Sequence, residues 1–153
     1  MKVTDTRKPG YDALIKALSD QALHQIQVGI DAEDGSFTYP NGMTLSEVAS
    51  IHEFGLNPRI PQRSFVREWF DENTAACRLR LREEMLKVVM GRQSYEKALQ
   101  VFAGWAARGM RDRIDTRAAL TPNAPRTIAE KGFDYPLVED GHLRHAIKGK
   151  VDK

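Results

Sequence analysis

Cysteine is nearly missing: the chain has one, Cys77, in 153 residues. A lone thiol excludes an internal disulfide and suits assembly in a reducing cytoplasm. It lies on a helical apolar stripe, so a small buried hydrophobe is expected there, not a nucleophile. Long apolar runs are also missing, and none approaches the roughly 20 residues of a membrane span. No membrane partner is therefore expected. The opening MKVTDTRKPG has no apolar stretch, so no secretory signal is expected. There is no internal repeat, no low-complexity tract, no phosphate-cradling glycine-rich loop and no Gly-x-Ser-x-Gly elbow. Histidine is scarce, at four residues.

What is present is ordinary for one globular domain with a modest core: 41% apolar and 29% charged residues. The net charge of +2 is unevenly spread. Residues 1–58 carry 4 Lys/Arg against 8 Asp/Glu, residues 59–126 carry 14 against 8, and residues 127–153 carry 5 against 5. An acidic front and a basic middle fit a polyanion partner, complementary faces on neighbouring subunits, or simply solvated helix faces.

Periodicity predicts a first helix over about 10–22 and a half-buried strand through Ile26, Val28 and Ile30. Residues 32–42 read as a loop, with Ser36–Tyr39 as a second short strand. Thr44 and Glu47 form a capping box for a helix over 44–54, which Gly55 ends. Pro58 and Pro61 then bias the chain toward an extended arm. A long amphipathic helix is expected over 63–90 and a second over 94–115, joined as an antiparallel hairpin. Residues 117–137 read as an extended strap with one helical turn at Thr127–Glu130. A turn at Asp140-Gly141 and a strand over about 146–151 close the chain. The expected fold class is α+β: a small mixed or antiparallel sheet against a long two-helix hairpin plus short helices, in a single domain.

The sharpest chemical question is posed by Ser50-Ile51-His52-Glu53-Phe54-Gly55. A zinc-protease helix needs His-Glu-x-x-His so that both imidazoles face one metal. Here the fourth residue after His52 is Leu56, with a helix-ending glycine between. His142 and His145 are three apart but sit at a turn-to-strand change. A metal-dependent hydrolase at His52 and Glu53 is therefore the weakest alternative, and no cofactor or metal is expected. The plainer role for His52 is to meet helix-end carbonyls or a subunit contact. Duplex DNA is a stronger alternative partner. Arg78, Arg80 and Arg82 alternate on the first long helix, and Arg108, Arg111, Arg113 and Arg117 crowd the end of the second. Glu83, Glu84, Asp112 and Asp115 are interleaved with them, which weakens that reading.

Two separated stretches together resemble a known family. The first is Ile51-His52-Glu53-Phe54-Gly55 followed by Ile60-Pro61-Gln62-Arg63-Ser64-Phe65-Val66-Arg67. The second is Thr127-Ile128 with Lys131-Gly132, then Pro136-Leu137-Val138-Glu139-Asp140-Gly141-His142-Leu143-Arg144. They are similar to the virion morphogenesis and tail-completion (neck) proteins of tailed double-stranded DNA phages. The departure is Glu139-Asp140-Gly141 where that family usually has Asp-Thr-Gly.

The resemblance implies a non-enzymatic virion protein, assembled in the host cytoplasm as a homo-oligomeric ring at the head–tail junction. It implies connector, tail-terminator or tail-tube proteins as neighbours, and channel DNA as a further contact. It supplies no catalytic residues. The interface residues expected in the first stretch are His52, Glu53, Phe54, Arg59, Ile60, Pro61, Arg63, Phe65 and Arg67. Asp140 and Arg144 are expected from the second.

Overall fold

The computed structural model describes residues 11, 12, 15, 16, 19, 24–117 and 120–152. The helix expected over 10–22 lies mostly outside the described residues; residues 11, 12, 15, 16 and 19 are helical.

The front and back of the chain meet in a two-stranded antiparallel sheet. Strand β1 (Gln25–Ile30) pairs with β2 (Ile147–Asp152), in a register running from Gln25 opposite Asp152 to Ile30 opposite Ile147. Alternation sets the faces: Val28, Ile30 and Ile147 turn to the core while Lys148 and Lys150 stay exposed. Between the strands lie α1 (Ala32–Gly35), α2 (Leu45–Phe54), α3 (Arg67–Val89), α4 (Tyr95–Thr116), α5 (Pro125–Lys131) and α6 (His142–His145). The fold is α+β, as the sequence implies. Helix α4 packs on both strands on one side and on α3 on the other. None of the helices is long and apolar enough to cross a membrane, among the described residues.

Helix α4 is the central element because its inner face is both apolar and small. Ala98, Leu99, Phe102, Ala103, Ala106, Ala107, Met110 and Ile114 are buried. The alanines let β2 come close, and Gly149 completes the approach. A Cβ on Gly149 would stand 2.3 Å from the Ala103 carbonyl oxygen. On the opposite flank, Gly109 leaves room for the Trp69 indole, since a Cβ there would lie 2.3 Å from Trp69 Cζ2. Trp69 meets Trp105 edge-on at 5.5 Å and Phe70 at 5.2 Å.

Local chemistry explains most boundaries. Thr44 Oγ1 accepts from Glu47 N (3.3 Å) and Glu47 Oε2 accepts from Thr44 N (2.7 Å), which starts α2. Ser94 caps α4 by accepting from Lys97 N at 3.1 Å. Gly55 ends α2 with φ 76°.

Several sequence expectations are corrected. No strand forms over 36–39: Asp31 Oδ1 accepts from Asp34 N (2.9 Å) and caps the short α1, leaving only a Thr38–Thr44 bridge. Residues 55–60 do not run out as an extended arm. Leu56 and Ile60 exchange two backbone hydrogen bonds of 2.8 Å and close a loop containing the cis Asn57–Pro58 peptide. Helix α3 starts at Arg67, four residues later than periodicity predicts. The helical turn expected at Thr127–Glu130 forms as α5 and stops at Gly132 with φ 78°, but it begins two residues earlier, at Pro125, a favoured first helical position. One helical turn, α6, sits between Gly141 and the closing strand.

Candidate functional site

The quoted His-Glu pair sits at the junction of α2, the 55–66 segment and α3. Glu53 is buried at the last turn of α2, with its carboxylate aimed at the first turn of α3. Its Oε1 accepts from Ser64 Oγ at 2.6 Å, Arg67 N at 2.9 Å and Arg67 Nε at 3.2 Å. Its Oε2 accepts from Phe65 N at 2.9 Å and Val66 N at 3.1 Å. A helix start leaves its first N–H groups without intrahelical partners. Glu53 satisfies them from another helix, and its negative charge is favourable at that positive end. Helix α3 has no cap hydrogen bond from Val66, its own N-cap residue. Burial alone would raise the Glu53 carboxyl, but the Ser64 hydroxyl and the Arg67, Val66 and Phe65 amides hold it below the usual glutamate range.

His52 is backed by Arg63, whose Nη1 lies 3.5 Å from His52 Nδ1, while Arg63 N donates to the His52 carbonyl at 2.7 Å. With Nδ1 facing a permanent donor, the neutral ring carries its proton on Nε2. Burial, then the charges of Arg63 and Lys131, lowers the His52 pKa to about 4. Arg63 is itself buried. It reaches the strap, donating from Nε to Thr121 O at 2.7 Å and from Nη2 to Pro122 O at 2.8 Å. Lys131 pulls the end of α5 down by donating to Tyr135 O (3.2 Å) and Val138 O.

The remaining candidates divide by direction. Phe65 is buried in the core. Phe54 is 63% exposed, with the Arg67 guanidinium 4.5 Å above its ring. Arg59 and Pro61 are exposed, and Ile60 is half-buried. Arg144 turns to α4 and grips Asp115 in a fork of 2.5 and 2.6 Å. Asp140 is exposed and accepts from His142 N at 3.0 Å. His52 borders a cleft of about 230 Å³ also lined by Tyr39, Asn123, Lys131 and Asp140.

The basic cluster looks different in three dimensions than in sequence. Arg113 is buried and bridges the hairpin, bonding Glu72 Oε2 at 2.5 Å, Glu68 Oε2 at 2.6 Å and Ser64 O at 3.2 Å. Arg111 donates to Ile147 O at 2.5 Å, and Arg80 pairs with Glu84 at 3.2 Å. Arg117 lies over the Tyr135 ring at 5.0 Å. Arg78, Arg82 and Arg108 are exposed. Sequence reasoning missed Arg113 as a structural bridge, since its partners are more than 40 positions away. It also missed Leu56, which is 46% exposed at the loop.

Among the described residues, no group of three His, Cys, Asp or Glu side chains could hold a metal ion. A carboxylate accepting five hydrogen bonds cannot also act as the base for a metal-bound water unless the start of α3 comes apart. No family model, curated protein or solved structure matches this chain.

Proposed function

We propose that the chain is a non-catalytic virion protein of a tailed double-stranded DNA phage or prophage, assembling as a homo-oligomeric ring at the head–tail junction. The observation that carries this reading is the use made of the His52-Glu53 motif. Its polar atoms hold α2, the strap and α3 in one arrangement, and that arrangement presents a closed loop bearing Phe54, Leu56, Arg59 and Pro61 at the surface. A preformed loop loses little conformational entropy on docking. Aromatic and arginine residues are enriched at interface cores, and this surface presents Phe54 and Arg59. The connector, tail terminator or tail tube are the neighbours this role requires.

The test has two parts. Mass photometry of the purified protein should find a species many times the 17.3 kDa of one chain, and Phe54→Asp with Leu56→Asp should abolish it. Phage lacking the gene should make heads and tails that do not join. Infectious tailed particles from such a phage would refute the role. A contact with channel DNA is the second reading, favoured by exposed Arg78, Arg82 and Arg108.

A further inference from the structure

Helix α3 is unusual for the outer arm of a hairpin. Over 23 residues it buries only Trp69, Glu84 and Val88. The side turned away from α4 carries a line of large apolar residues: Leu79 is 57% exposed, Leu86 46% and Met90 49%. Their spacing of seven and four residues keeps them on one face, and exposed Ala75 extends it toward the N-terminus. In a lone hairpin that face would be polar.

We propose that this face of α3 packs antiparallel against the same face of a second copy of the chain, about a two-fold axis passing between Arg82 and Glu83. The sequence is centred on that point. Leu79 and Leu86 are equidistant from it, and so are Ala75 and Met90. A two-fold axis there sets Leu79 against Leu86 of the second copy and the large Met90 against the small Ala75. It also sets Arg82 of each copy against Glu83 of the other, which is the self-complementarity an isologous contact demands. Both charged residues are exposed, and Glu83 is 3.9 Å from Arg80 on its own helix, loose enough to be shared. A partner of different sequence would have no need of a pattern symmetric about its own midpoint. The face is separate from the 54–61 loop, so this contact does not depend on the ring.

A single helix face is at the small end of stable interfaces, so association in the micromolar range is expected. Sedimentation equilibrium in the Phe54→Asp/Leu56→Asp background, where the loop contact is removed, isolates the α3 face. A monomer–dimer equilibrium is expected there. Leu79→Glu should abolish it while leaving the helical circular dichroism unchanged. Arg82→Glu and Glu83→Arg should each weaken it by at least about tenfold, since each places like charges together across the axis. The combined charge swap should restore the natural affinity to within about threefold, because it recreates every opposed pair. A strictly monomeric protein in that background, a dimer indifferent to Leu79→Glu, or a double swap no better than the single changes would each overturn the proposal.

Discussion

At the residue scale, two adjacent side chains respond to acid in the same direction but in different windows. The ordinary pKa of His52 is 6.5 and its folded value is about 4, chiefly through burial. Between those values the unfolded chain takes up a proton that the folded chain refuses, so stability falls as pH drops through the window. The effect is roughly 2–3 kcal/mol when complete. His52→Gln should flatten the dependence of Tm on pH between 6.5 and 4; an unchanged slope would show that the ring is not kept neutral by the fold. Glu53 acts lower. Its folded pKa is depressed, so its contribution is complete above the ordinary glutamate value of 4.5 and is lost as pH falls below it. Glu53→Gln places an amide N–H against the Val66, Phe65 or Arg67 donors. At pH 7 it should cost about 2 kcal/mol in denaturant unfolding. Its acid transition should also be shallower than that of the natural chain.

At the element scale, close approach of backbone to backbone decides what is tolerated. Gly149→Ala drives a Cβ into the Ala103 carbonyl, a part of α4 that cannot rotate away. The substitution should cost about 3 kcal/mol, measured by urea unfolding. A loss below 1 kcal/mol would mean that β2 can slide off α4. The elements legible in the sequence are those whose start and stop signals are local. Thr44, Glu47 and Gly55 mark α2, and Ser94 marks α4. The start of α3 was not legible, because its cap is a carboxylate from the preceding helix rather than a residue beside it. The same reason hid Arg113: four arginines near a helix end read as a basic surface until Glu68 and Glu72 are seen across the hairpin. The closing strand could be placed, but its pairing with β1 joins residues more than 110 positions apart, and no turn links them. The site was legible as a motif. Its outward half, Phe54 with Leu56, separates from its inward half, Glu53 with Arg63, only once the chain is folded.

At the scale of the whole molecule, the uneven charge of the sequence is largely internal traffic. The acidic front meets the closing strand through Lys148–Asp34 at 2.5 Å and Lys150–Asp31. In the basic middle Arg113 is met by Glu68 and Glu72, and Arg144 of the closing stretch is met by Asp115, so both have little charge left to offer a polyanion. The lysine pairs on the closing strand are partly exposed and add little stability, but all of these pairs remove cations from the list available to phosphate. Of the long-helix arginines that made DNA attractive in the sequence, Arg78, Arg82 and Arg108 stand exposed, and Arg117, also exposed, is engaged with Asp134 O at 3.2 Å and the Tyr135 ring. Three phosphate contacts per chain give a slope of about −3 for log K against log salt on duplex DNA. The loop variant, held at concentrations below those at which it dimerises, should bind no more steeply than that. A slope near −6 would mean that further cations meet DNA, whether exposed ones such as Arg59 and Arg92 or Arg113 freed from Glu68 and Glu72, and the DNA reading would then displace the ring as the better account of the basic middle. With a shallow slope, any channel contact has to be collective, built by many copies each contributing a few weak charges around a common axis.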